Sequence, residues 1–140
     1  MFKVKSLYFV VILFLSFFIK AQNVELINRL KKEIANTKDD STKVKRLVNL
    51  SNNLSSSEFK NAIKYANEAL ELSIKINYVK GKPKAYNSLA DAYWFHSDYE
   101  KAQQYYFKAY RINDSINDQK EVAFSLYNIG WILCIQQHNY

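Results

Sequence analysis

Apolar residues recur along most of this chain with the period of an α-helix. Tyr86, Leu89, Ala90 and Tyr93 stand at i, i+3, i+4 and i+7, a spacing that places side chains on one helical face. A helix is therefore predicted from about Lys82 to His96. Ser97-Asp98 then supplies residues suited to cap a helix N-terminus, and the next helix is predicted to end near Asn117. At about 100° per residue, Ile112, Tyr105, Ile116, Ala109, Ala102, Tyr106, Tyr99 and Tyr110 of that helix share an arc of roughly 160°. Lys101, Gln104, Lys108 and Arg111 fall on the other side. Aromatic and positive residues that interleave in sequence are thus expected to separate in space, with Phe107 alone among the polar positions. A further amphipathic helix is predicted from about Val24 to Ala35, with Leu26, Ile27, Leu30 and Ile34 on one side.

The same pattern returns after forty residues. Glu58-Phe59, Ala62, Tyr65 and Ala69 align with Asp98-Tyr99, Ala102, Tyr105 and Ala109, and Ile76-Asn77 aligns with Ile116-Asn117. Tyr86, Leu89, Ala90 and Tyr93 align with Leu126, Ile129, Gly130 and Leu133. Leu47, Leu50, Ser51 and Leu54 form an earlier copy one residue out of step, with a shortened turn expected between Leu54 and Phe59. Each copy reads as a helical hairpin, with Asp40-Ser41 capping the first and Ser56-Ser57 standing in the capping place before Glu58. Ala62, Ala69, Ala102 and Ala109 carry no bulk beyond Cβ, which lets neighbouring helices approach to about 8–10 Å. Ala90 and Gly130 are expected to serve the same end in the first helices.

On these residues the chain resembles the tetratricopeptide repeat family. Tyr86, Leu89, Ala90 and Tyr93 carry the likeness in the first helix of the middle copy, and Asp98-Tyr99, Ala102, Tyr106 and Ala109 in its second. The closing proline of such repeats is absent, with Asp114 near its place, and the period of forty exceeds the common 34. Longer periods occur in repeats of the sensory regions of bacterial signalling proteins. The resemblance implies an all-α fold: a right-handed superhelical stack of antiparallel helix hairpins, a tetratricopeptide-like α-solenoid. It divides the chain into residues 1–21, an N-terminal helix and loop over 22–40, and a repeat region over 41–140 with copies at 41–80, 81–119 and, in part, 120–140. The third copy reaches His138-Asn139-Tyr140 where Asp98-Tyr99 opens the second helix of the middle copy. The stack therefore reads as a fragment, incomplete at its C-terminus, with a complete protein ending in an unusual terminal helix as the alternative. Leu126, Ile129, Ile132, Leu133 and Ile135 would then lack a following helix to cover them. A coding region beyond Tyr140 without a further repeat, kinase or DNA-binding segment would contradict that reading.

Composition changes the picture mainly at the N-terminus. Lys3 and Lys5 precede the uncharged run Leu7 to Ile19, and Ile19-Lys20-Ala21 places a small residue before Gln22. Those three regions are those of a secretory signal peptide over residues 1–21. The 13-residue run spans roughly 20 Å as a helix, short of a hydrocarbon core of about 30 Å. Membrane contact is expected only through this segment if it stays uncleaved. The residue usage, rich in Lys, Asn, Ile, Tyr and Phe, suggests an AT-rich bacterial source, and the compartment is read as periplasmic or cell-surface. The formal charge is +7; without Lys3, Lys5 and Lys20 about +4 remains, spread along the chain. That distribution disfavours nucleic acid as a partner.

Catalytic chemistry finds little support. The only cysteine is Cys134, so no intrachain disulfide can form, and its spacing to His96 or His138 fits neither a zinc site nor a nucleophile motif. Both histidines are expected in turns, and Asp39-Asp40 reads as loop and cap. With Gly81 and Gly130 the only glycines, no phosphate-binding loop exists. No catalytic, metal or cofactor site is expected, and the chain reads as a non-enzyme.

The resemblance points instead to the inner surface of the stack, lined by first helices. Positions outside the packing stripe select Lys84, Asn87, Asp91 and Trp94 on the middle copy, and Tyr127 and Trp131 on the third, with Cys134 beyond. Exposed Trp and Tyr are common anchors of a peptide interface; alternatively, the two tryptophans pack against neighbouring helices. The carboxylate clamp of some family members does not transfer, because Val48 stands where it needs a basic residue and Asp91 adds a repelling charge. The expected ligand is an internal peptide or protein face, with association through the uncovered C-terminal helix as a second contact. The functional expectation is an exported protein-interaction module, the N-terminal sensory part of a larger signalling regulator such as a histidine kinase. Its alternatives are a stand-alone periplasmic scaffold and, disfavoured by charge and export, a nucleic-acid-binding protein.

Overall fold

The computed structural model describes residues 23–138, and the side chains of residues 23–137. The signal-peptide reading of residues 1–21 and the comparison made at Asn139-Tyr140 fall outside these residues. Among the described residues the fold is all-helical, without strands. Helix α1 covers residues 23–35. It is followed by α2 (Ser41–Leu54), α3 (Phe59–Lys75), α4 (Gly81–Phe95), α5 (Tyr99–Ser115) and α6 (Gln119–His138). From α2 onward each helix packs against the next, and α2 also touches α4.

The repeat is realised in the backbone as well as in the side chains. Helices α3 and α5 begin and end forty residues apart. So do the residues that turn the chain after them: Asn77 and Asn117 adopt left-handed φ of 55° and 57°. Asparagine tolerates that conformation better than most residues. Tyr78 N–H then donates to Ser73 O at 2.8 Å, and Asp118 N–H to Asn113 O at 2.9 Å. Ser97, with φ 62°, makes the same kind of closure after α4, where Asp98 N–H donates to Tyr93 O at 2.9 Å. These bonds satisfy carbonyls that a helix C-terminus would otherwise leave unpaired.

Helix starts differ in how they are capped. Asp40 accepts from Thr42 N–H at 2.7 Å and Lys43 N–H at 3.1 Å, and Asp98 accepts from Lys101 N–H at 3.2 Å. The cap position of α3 is Glu58, with no side-chain cap bond, so Ser56-Ser57 does not play the part expected of it. The missing residue of the first copy is not taken from the turn. Helix α2 ends at Leu54, the counterpart of Tyr93, whereas α4 continues to Phe95; the turn after α2 is the longer one.

Three clusters form the core. Leu30, Leu50, Leu54, Ala62 and Ala92 join α1 to α4, with Leu26, Ile27 and Ile34 packed at the margin. Val44, Leu47, Ala69, Leu72 and Ala85 join α2, α3 and α4. Ala90, Ala102, Tyr106, Ile129 and Ile132 join α4, α5 and α6. Burial of each such leucine contributes about 1.5–3 kcal/mol. Ala62, Ala69, Ala102 and Ala109 are fully buried, in keeping with close helix approach, and Ser51 Oγ adds a hydrogen bond to Ala62 O at 2.8 Å.

Gly130 departs from the expectation. A Cβ built there would meet nothing within 4 Å, so it mediates no close approach. Gly81, by contrast, is buried at the start of α4, where a Cβ would collide with Ser73 Oγ and lie 2.6 Å from Tyr78 Cδ1. Ile129 and Ile132 are covered by α5, contrary to expectation, while Leu126 and Leu133 are exposed. His96 lies in a turn, but His138 ends α6.

Ion pairs tie the inter-hairpin turns along one edge. Asp39 receives Lys43 Nζ at 2.9 Å and Lys75 Nζ at 2.8 Å, and Lys80 Nζ lies 3.7 Å from Asp118. The two ammonium hydrogen bonds lower the Asp39 carboxyl to about 2.

Candidate functional site

Helix α4 presents chemically opposite faces to its two sides. On one side a cavity of about 300 Å³ is lined by Val48 and Asn52 of α2, Lys84, Asn87 and Asp91 of α4, and Lys120, Glu121 and Phe124 of α6. The stacking of alternate helices thus brings together three of the positions selected from sequence. Asn52 and Phe124 were not selected there, although the repeat shift places them at the counterparts of Asp91 and Lys84.

Asn87 sits at the wall of this cavity, only 8% exposed. Its Oδ1 is buried without a hydrogen-bond partner. A buried polar atom left unpaired costs about 1–3 kcal/mol; among the described residues Asn113 Nδ2 on α5 stands in the same condition. Lys84 and Lys120 form no ion pair among the described residues, and their charges are available at the cavity.

Asp91 has a different role from the repelling charge expected of it. Its Oδ1 accepts a short hydrogen bond from the Tyr106 hydroxyl of α5. Burial pushes the Asp91 carboxyl up from the usual range, and the tyrosine bond opposes that shift. The Tyr106 hydroxyl is in turn pushed up by burial and by the adjacent carboxylate. The pair links the cavity wall to the core cluster behind it.

The remaining selected residues lie elsewhere. Trp94 is half-buried, packed at the margin of the third cluster, with its ring edge-on to Phe95 at 5.0 Å. Tyr127 and Trp131 are 69% and 53% exposed on α6 and do not line the cavity. Cys134 is exposed one turn further on. Among the described residues no group of three His, Cys, Asp or Glu side chains could hold a metal ion.

The opposite side of α4 carries a strip of aromatic rings. His96 stacks on Phe59 at 4.1 Å, Phe59 meets Tyr93 edge-on at 5.4 Å, and Tyr93 stacks on Tyr105 at 5.5 Å. Tyr105 continues to Tyr86 at 6.1 Å. Lys101 Nζ lies 5.1 Å from the Tyr93 centroid, and Lys108 Nζ lies 4.7 Å and 5.7 Å from those of Tyr105 and Tyr86. Aromatic and positive groups therefore do not separate in space. The long lysine stems bring their ammonium groups back over rings on the adjoining face, within cation–π range. Phe107 is 45% exposed, as its place among polar positions implied.

No protein-family model matches this chain, and no curated protein matches it.

Among the described residues, no helix is long and apolar enough to cross a membrane.

Proposed function

We propose that the chain is an exported protein–protein interaction module of the tetratricopeptide type, an α-solenoid that takes an extended internal peptide segment between α2, α4 and α6. The observation that carries this reading is the Asn87 carboxamide, buried at the cavity wall with an unpartnered oxygen. A peptide main chain offers both the N–H and the C=O that a carboxamide can pair with. Lys84 and Lys120 flank it with charges unused within the fold, and Phe124 adds an apolar wall. Support for the family comes from the forty-residue period shared by apolar positions, helix bounds and left-handed turn residues. In this reading the module serves as the sensory part of a bacterial signalling regulator.

A displayed peptide library selected on the chain, in the form its host exports, tests the proposal. The wild type should enrich a defined sequence class, and Asn87→Leu should weaken binding of the selected peptides about tenfold or more while leaving helicity unchanged. Lys84→Glu should shift the charge preference of the selected class. Equal binding by wild type and Asn87→Leu would refute the reading. Trp94→Ala is expected to act through stability, as a packed residue, and Trp131→Ala should leave peptide binding unchanged.

A further inference from the structure

The two helices that match across the forty-residue shift, α4 and α6, have different surroundings. Helix α4 lies between α3 and α5, whereas α6 packs against α5. On α4 the stripe Tyr86, Ala90 and Tyr93 is covered by α5. Ala90 is buried in one cluster with Ala102 and Tyr106, and Tyr105 stacks on both tyrosines. Their counterparts on α6 are Leu126, Gly130 and Leu133. Leu126 is 48% exposed, Leu133 is 45% exposed, and the space around Gly130 is open. At about 100° per residue, the exposed arc from Leu133 through Gly130 to Trp131 covers roughly half of the helix. Outside its first and last turns that arc carries no charged side chain. A helix apolar on all sides is normally enclosed, and exposed apolar surface of this kind marks an interaction site.

We propose that this face of α6 docks one amphipathic helix of the α5 type: alanines seven residues apart, tyrosines between them, lying antiparallel to α6. The occupant is defined by the internal template. Helix α5 shows what covers the equivalent stripe, and the chain repeats that stripe with its central alanine replaced by glycine. Gly130 leaves room for the docking helix to approach at least as closely as Ala102 and Tyr106 approach Ala90. The surface is separate from the cavity between α2, α4 and α6, so the two proposals stand or fall independently.

The test uses the chain in its exported form and a synthetic peptide comprising residues 97–117, the α5 sequence itself. Calorimetry should show saturable binding. Gly130→Leu should weaken it about tenfold or more, a loss of about 1.4 kcal/mol or more, because the new side chain grows from a position where a Cβ meets no atom within 4 Å and occupies the open space. Circular dichroism should find that variant at least as helical as the parent, since glycine is the poorer helix former. Leu126→Lys with Leu133→Lys should abolish binding, and so should a peptide carrying leucine in place of Ala102 and Ala109. Absence of saturable binding by the parent peptide would overturn the proposal. So would sedimentation of the unliganded chain as a dimer that Gly130→Leu dissociates, because a second copy would then be the occupant.

Discussion

The two sides of α4 are built from the same short helix and make opposite use of their polar and aromatic groups. On the aromatic side, every ring from His96 to Tyr86 has a ring neighbour, and two lysines close over the tyrosines. On the cavity side, Asn87 Oδ1 has no hydrogen-bond partner among the described residues, and Lys84 forms no ion pair there although Asp91 and Glu121 line the same cavity. A surface rich in aromatics and cations would ordinarily draw attention as a binding platform. Here those groups have partners within the chain, and the sparser polar face holds an unpaired carboxamide oxygen.

Substitutions on the two sides should separate accordingly, and the largest effect belongs to the aromatic strip. Tyr93→Ala removes the ring between Phe59 and Tyr105 and should cost about 3 kcal/mol in urea unfolding, near the lower end for a large-to-small change because the ring is half-buried. A loss below about 1 kcal/mol would mean that the strip is ornament. Next is Tyr106→Phe, which leaves the half-buried Asp91 carboxylate without its hydroxyl donor and should cost about 1–2 kcal/mol. Lys108→Met should cost only about 0.5–1 kcal/mol, the range of an exposed cation–π contact. Asn87→Leu should cost least: removing an unpaired polar atom should leave stability unchanged or raise it, and a loss above about 1 kcal/mol would show that the carboxamide already has a structural partner.

Acidity gives a finer contrast. The Asp91 carboxyl is raised on folding by burial, so the native state holds its proton more tightly than the unfolded chain. Its contribution should make the protein more stable as pH falls from neutrality toward the ordinary carboxylate range. Asp39 acts in the opposite sense. Lowered by its two lysines from 3.8 to about 2, it contributes stability above pH 4 that disappears as pH falls through about 2. Chemical denaturation of Asp91→Asn against wild type should lose the first trend and keep the second. Retention of both would assign the first trend to another group.

The all-helical fold and the order of helices were legible because apolar period, capping aspartates and the forty-residue shift agree. Asp40, Asp98 and the four buried alanines are where that agreement was closest. The α3 start was misread because serine is a good cap in general, while the chain there places Glu58 at the cap position. Segregation of lysines from rings failed for a geometric reason: helical angles locate Cα atoms, and a lysine ammonium sits four methylenes away. Three cavity residues were accessible from the repeat alone. Asn52 and Phe124 needed the same shift applied to both neighbouring helices, whereas Trp94, Tyr127 and Trp131 satisfy the same positional rule as the cavity residues and still lie outside the cavity. The Asp91–Tyr106 pair carried no sequence signal, since it joins two helices across a turn.

The identical spacing of Asn77 and Asn117, with α3 and α5 matched to the residue, bears on how such a gene can change length. Duplicating or losing forty residues at the Asn77 or Asn117 turn would return the chain to the same backbone conformation and the same helical phase. An increment that cut into α3 or α5 themselves would instead shift the phase of an apolar stripe against its neighbours. Unequal recombination in units of one period is therefore the inexpensive route by which descendants of this chain could lengthen or shorten.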